Sequence, residues 1–142
     1  MIRFFVQGIP KSMRVSGVAR FQRAGKVHMV PKRSNSEWAT LVGQIGREHA
    51  PERPLKGPIA FSARFFMPRP KSAGKRVTYP LTRPDIDNLC SKLTDAWNGV
   101  FYQDDSQVVR FAVSKAFAED GKPGVEITVV EIGDPTLLAP LT

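Results

Sequence analysis

Ile59-Ala60-Phe61-Ser62-Ala63-Arg64-Phe65-Phe66-Met67 places Ile59, Phe61, Ala63, Phe65 and Met67 on one side of an extended chain and Ser62 and Arg64 on the other. Successive side chains of a strand point to opposite faces, so the stretch reads as a half-buried strand. Upstream, Ser34 with Glu37 three residues on has the form of a capping box. Trp38, Leu41, Val42 and Ile45 then recur at helical spacing until Pro51 stops them, which predicts a first helix. Earlier still, Ile2, Phe4 and Val6 alternate with Arg3, Phe5 and Gln7, a short strand ending at the Gly8 and Pro10 turn. A loop rich in basic residues is expected between that strand and the helix.

Downstream, Pro68 to Pro84 reads as a loop, with Pro68, Pro70, Gly74 and Pro80 and no acid, mobile until an anion orders it. Leu89, Leu93, Ala96 and Trp97 predict a second helix that Gly99 terminates. Val109, Phe111 and Val113, then Val125, Ile127 and Val129, read as an antiparallel hairpin around Glu119-Asp120-Gly121-Lys122-Pro123. The order strand, helix, strand, helix, strand, strand predicts a single α+β domain over residues 1–133. Its small mixed or antiparallel sheet is covered by two main helices, and a flexible tail follows over 134–142.

A chain of 142 residues, 42% hydrophobic and 24% charged, buries one core. Its one cysteine, Cys90, leaves no intramolecular disulfide and no zinc site of several thiolates, which suits a reducing cytoplasm. The apolar run at the amino end is broken by Gln7 and Pro10, so no targeting segment and no membrane partner are expected. Phe61, Phe65 and Phe111 alternate as core residues do, Cys90 reads as a small buried hydrophobe, and His28 has no partner at ligand spacing.

Charge is segregated. The chain has 21 Lys and Arg against 13 Asp and Glu, a net +8. Before the first acid, Glu37, stand Arg3, Lys11, Arg14, Arg20, Arg23, Lys26, Lys32 and Arg33; the acid-free stretch Phe61 to Arg83 adds Arg64, Arg69, Lys71, Lys75, Arg76 and Arg83. Between Pro84 and Asp105 the sign inverts, with Asp85, Asp87, Asp95, Asp104 and Asp105 opposed only by Lys92. Basic segments that bind a polyanion around a compact carboxylate cluster are what a metal-dependent enzyme acting on nucleic acid needs.

The acidic segment reads Arg83-Pro84-Asp85-Ile86-Asp87-Asn88-Leu89, then Asp95-Ala96-Trp97-Asn98-Gly99, then Asp104-Asp105-Ser106-Gln107-Val108. Residues two apart converge in extended chain and diverge on a helix, so Asp85 and Asp87 meet if the helix begins near Asp87 or Asn88. A short return loop brings Asp104 or Asp105 beside them. Crowded carboxylates repel unless a hard divalent cation relieves them, and magnesium suits such oxygen donors. The other reading is structural: Asp85 and Asp87 favour a helix amino terminus, and Asp104-Asp105 forms a turn.

These three motifs resemble the signature of the RusA family of Holliday junction resolvases, R-P-D-x-D-N-L, D-A-x-N-G and D-D-S-Q-V, in that order. Gly8-Ile9-Pro10-Lys11-Ser12-Met13-Arg14 is similar to the family's opening G-x-P-x-x-K-x-R, so the resemblance spans nearly the whole chain. It implies a homodimeric endonuclease of recombination and repair that binds four-way DNA junctions and nicks them symmetrically, using magnesium, with manganese as a substitute, and no small-molecule cofactor. Carried over, the metal-binding and catalytic carboxylates are Asp85, Asp87 and Asp105, with Asp104 as an accessory and Asn88 and Gln107 supporting the site and its DNA contacts. Lys11, Arg14 and Arg83 are the leading phosphate-contact residues, with Lys75 and Arg76 on the acid-free loop behind them. The family's lysine four residues after the second aspartate is here Ser91; Lys92, next to it and about 100° further round a helix, is the candidate catalytic lysine in its place. Phe101 and Tyr102 either pack beneath the site or wedge into a junction. The alternatives are a nuclease for other branched DNA and a non-catalytic nucleic-acid-binding module of the same fold.

Overall fold

The computed structural model describes residues 1–13, 15–33 and 36–133. Arg14, the proposed cap Ser34 and the tail beyond Gly133 lie outside the described residues. The strands are β1 (Ile2–Gln7), β2 (Val15–Arg23), β3 (Lys26–Arg33), β4 (Ile59–Met67), β5 (Val108–Phe117) and β6 (Gly124–Glu131). The helices are α1 (Ser36–Glu48) and α2 (Ile86–Cys90). Four strands form one mixed sheet in the order β1-β6-β4-β5, as the α+β reading required.

β4 is central because it is the most completely buried strand, with Ile59, Phe61, Ala63, Phe65 and Met67 all under 8% exposed. It pairs antiparallel with β6, placing Phe61 opposite Val129, and parallel with β5, placing Phe65 opposite Lys115. The predicted β5–β6 hairpin is therefore not formed. Alternation says that each strand has one apolar face but not which strand lies beside it, and here β4 separates the two. Residues 118–123 cross the end of β4, where the Ala118 N–H donates to the Met67 carbonyl at 2.8 Å.

Two further expectations are corrected. The basic stretch after β1 is not a loop: β2 and β3 pair antiparallel as a separate two-stranded sheet. Ala24 (φ 54) and Gly25 (φ 76) turn between them, with the two positive φ angles that match hairpin twist. The second helix is not continuous. α2 ends at Cys90, Ser91 is extended, Lys92 takes φ 63, and the chain resumes as a one-turn 3₁₀ helix, Asp95–Trp97. A left-handed residue cannot continue a right-handed helix, so the helical spacing of Leu89, Leu93 and Trp97 is met by two short helical pieces, which bury Leu89 and Trp97, and by the turn between them, which buries Leu93.

The core centres on Trp97. Its ring stacks on Phe61 (5.9 Å), meets Phe4 edge-on (5.7 Å) and lies 5.1 Å from Phe101. Trp38 and Val42 of α1 complete this layer. Phe101 and Tyr102 are fully buried, which settles them as packing residues and removes them as wedges. Phe111, expected in the core, is 39% exposed because β5 is an edge strand with no neighbour in the sheet beyond it. Among the described residues, no helix is long and apolar enough to cross a membrane.

Candidate functional site

The residues of interest lie in the crossover between β4 and β5, and the sheet fixes their position. From β5 the Lys115 ammonium donates to the carbonyl oxygens of Thr82 (2.9 Å) and Pro84 (3.1 Å), anchoring the segment that leads into α2. On the other side the Met13 N–H donates to the Asn88 carbonyl at 2.9 Å, joining the opening motif to the same helix. Asp85 is the residue before the helix, extended at φ −70 and ψ 153, and its carbonyl accepts from the Leu89 N–H at 3.0 Å. Its carboxylate makes no capping bond. Asp87 lies in the first turn. The helix thus begins one residue earlier than the extended-pair reading required, and Asp85 and Asp87 occupy different backbone conformations.

A second carboxylate group forms where the 3₁₀ turns Asp95–Trp97 and Asp105–Gln107 meet. A hydrogen bond with the Asp95 carboxyl pushes the Asp105 pKa up. Partial desolvation and the charges of Asp95 and Asp104 add to this, while a hydrogen bond from Asn98 opposes it. Asp104 is shifted the other way by hydrogen bonds from Ser106, whose N–H reaches its Oδ2 at 3.2 Å. Lys92, turned by its left-handed backbone, sits 3.7 Å from Asp95. Beneath them lies Tyr102, whose hydroxyl donates to the Thr94 carbonyl. Burial, then the charges of Asp105 and Asp95, raise the Tyr102 pKa well above the ordinary phenol range.

Gln107 holds this turn in place. Its Oε1 accepts from the Gln103 and Asp104 N–H groups (2.8 and 3.0 Å), and its Nε2 donates to the Leu55 and Gly57 carbonyls (2.9 and 3.0 Å). With both amide ends committed to backbone, the side chain supports the turn and has no donor left for DNA.

The carboxylates therefore divide into Asp85 with Asp87 and Asp95 with Asp104 and Asp105. Among the described residues, no three acidic, histidine or cysteine side chains gather closely enough to hold a metal ion. The donor chemistry nevertheless fits a hard cation: every candidate ligand is a carboxylate oxygen, and the hydrogen-bonded Asp95–Asp105 pair is the like-charge crowding that such a cation relieves. Asp95 and Asn98 were visible in the D-A-W-N-G motif without an assigned task. Lys115 carries no local signal at all, being 30 residues along the chain from Asp85 and brought there by strand pairing alone.

Lys11 and Arg83 line a groove of about 590 Å³ together with Asn88. Lys75 and Arg76 are exposed on the acid-free loop, which Arg69 bridges from its start. Arg69 donates to the Val77 carbonyl at 2.8 Å, pairs with Glu119 at 2.8 Å, and lies over the Phe117 ring at 4.3 Å. Tyr79 and Leu81 stand exposed at its end, 62% and 88%.

Comparison with known proteins gives the chain's family. A family model described as endodeoxyribonuclease RusA matches residues 10–130, which takes in β2 through β6 and every residue of the site described above. The protein YqaN of Bacillus subtilis (strain 168), which is uncharacterised, is 34% identical over 92% of this chain and 96% of its own length. The crossover junction endodeoxyribonuclease rusA of Lactococcus phage r1t is 27% identical over 89% of this chain and 95% of its own.

Proposed function

Because the chain belongs to the RusA family of endodeoxyribonucleases, we propose that it resolves four-way DNA junctions by paired symmetric nicks. It acts as a homodimer in recombination and repair, in a reducing cytoplasm, with magnesium or, in its place, manganese. The observation that carries this reading is the pinned segment: Asp85 and Asp87 are presented on a turn bolted to the sheet by Lys115, beside a groove whose charged residues, Lys11 and Arg83, are both cationic. The phage relative's name supplies the junction as substrate.

Asp85 and Asp87 from one carboxylate group and Asp105 from the other would hold the metal, the two groups closing on it, and when bound it would supply the activated water and neutralise charge at the phosphate. Asn98 and Lys92 orient the Asp95–Asp105 pair, Asp104 caps the turn, and Gln107 fixes it against residues 55–57. Asn88 sits at the groove between Asp87 and the opening motif. Lys11, Arg14, Arg83, Lys75 and Arg76 neutralise backbone phosphates.

The test is a labelled four-way junction incubated with and without magnesium, with linear duplex as competitor and Asp87→Asn as control. Paired symmetric nicks that need both the metal and Asp87 are expected. Binding without cutting in magnesium and in manganese would make the chain a DNA-binding module, and preferential cutting of flaps or forks would move the substrate to other branched DNA.

A further inference from the structure

The groove beside α2 has a composition that phosphate binding does not explain. Its apolar lining is dominated by prolines, Pro68, Pro70, Pro80 and Pro84 among them, with Met67 and Phe117 beside them. Its charged residues are Lys11 and Arg83, and Ser12, Thr82 and Asn88 add hydroxyl and amide groups. Among the described residues no acid lines it, although Asp85 and Asp87 are immediate neighbours of Pro84 and Asn88 in the chain. A solvated phosphate needs cations but has no use for flat apolar walls. An apolar peptide would use the walls but has no use for two cations. An occupant that satisfies both is a flat apolar ring with hydrogen-bonding edges, carried on an anion: a nucleotide. At about 590 Å³ the groove is in the size range of sites that enclose small ligands.

Resting on the nuclease reading above, we infer that this groove receives one unstacked DNA base from the crossing point of the junction, with Lys11 and Arg83 on the phosphates that flank it. The base packs against the proline rings of the lining, an apolar contact that any of the four bases can make through its flat face. Its edge meets the polar groups of Thr82 and Asn88. A duplex interior gives up a base only at the cost of unstacking and unpairing, and that cost is lowest where pairing is already interrupted. The crossing point of a four-way junction is such a place. Because Pro84 precedes Asp85 and Asn88 follows Asp87, a base held here sets the backbone beside it at the carboxylates, so that shape selection and positioning are one event.

The experiment uses the full chain, in calcium in place of magnesium, and four-way junctions carrying 2-aminopurine at one crossover position at a time. This base fluoresces more when it leaves the stack. The expected result is a rise on binding at a single position next to the cleavage site. An abasic substitution at that position is expected to weaken binding about tenfold. Thr82 is exposed, so Thr82→Phe plugs the mouth of the groove without disturbing the core, and Thr82→Ser leaves it open. Thr82→Phe should abolish the rise while keeping the salt dependence of binding, and Thr82→Ser should keep both. Junction binding with no rise at any position overturns the inference and leaves the nuclease reading standing. A rise that survives Thr82→Phe overturns it too, placing the base elsewhere and leaving the groove to a protein segment. A chain that binds no junction at all overturns the nuclease reading and this inference together.

Discussion

Lys115 of β5 and Pro84 before α2 are joined by a hydrogen bond of 3.1 Å from ammonium to carbonyl, and the same ammonium reaches Thr82 at 2.9 Å. One side chain of the sheet thus sets the height of the segment that presents Asp85. Removing it as Lys115→Met frees the segment, and a misplacement of about 1 Å costs on the order of 100-fold in rate. Single-turnover cleavage should fall by about that factor while junction affinity changes little, and Lys115→Arg should recover part of the loss. Parallel loss of binding and cleavage would place Lys115 on the DNA instead.

Gln107 makes four backbone hydrogen bonds that join the Asp104-Asp105 turn to residues 55 and 57. Gln107→Ala strands two N–H groups and two carbonyls, a loss of about 1–3 kcal/mol. Denaturant unfolding measures it. Gln107→Glu keeps the two accepted bonds and loses the two donated ones, so its stability should lie between wild type and alanine.

Two glycines of α1 should respond in opposite ways. A Cβ on Gly46 would collide with the indole of the fully buried Trp97, so Gly46→Ala should destabilise by about 1–3 kcal/mol and alter the near-ultraviolet dichroism of that ring. A Cβ on Gly43 meets only the flexible end of Arg47 at 3.5 Å, so Gly43→Ala should gain up to about 1 kcal/mol of helix propensity. Thermal melts of the pair check the sign.

The Cys90 thiol is pushed above its ordinary pKa chiefly by burial; a backbone hydrogen bond opposes this, and the charge of Asp87 adds a smaller upward push. A raised thiol pKa means less thiolate at neutral pH and slower alkylation. Iodoacetamide should label the folded protein more slowly than the urea-unfolded chain, with the gap narrowing as pH rises. Equal rates at pH 7 would show that the site around α2 is open.

Junction affinity should fall steeply with salt, because each Lys or Arg at a phosphate releases counterions. Neutralising Lys11, Lys75, Arg76 or Arg83 singly should lower the slope of log affinity against log salt by about one each. A slope that no single substitution changes would remove these residues from the phosphate path.

β1, α1 and β4 were legible because each writes its period directly into the chain: two for Phe4 and Val6, 3.6 for Trp38, Val42 and Ile45, two again for Phe61 to Met67. The β2–β3 hairpin was hidden because five cations, Arg20, Arg23, Lys26, Lys32 and Arg33, gave the stretch the look of a solvated loop. Its Ala24-Gly25 turn was the available clue. Period also misled at Leu89, Leu93 and Trp97, where two short helical pieces and the turn between them bury the same residues as one long helix, and the break depends on the φ of Lys92. At the site, the acidic residues were found by charge inversion. Their division between Asp87 and Asp105, and the reach of Lys115 to Pro84, are set by the order in which strands pair, and that order has no local sequence signal.

The parallel pairing of β4 with β5 has a kinetic consequence. Strands that run the same way cannot be joined by a tight turn, so residues 68–107 form one long excursion between two neighbours, and every carboxylate of the site lies inside it. Closing so large a loop is entropically costly and slow, and it comes before Lys115 can find Thr82 and Pro84. Trp97, on which the core centres, lies in the same excursion as the carboxylates, so the chain cannot bury its sheet without also bringing in the segment that carries its chemistry.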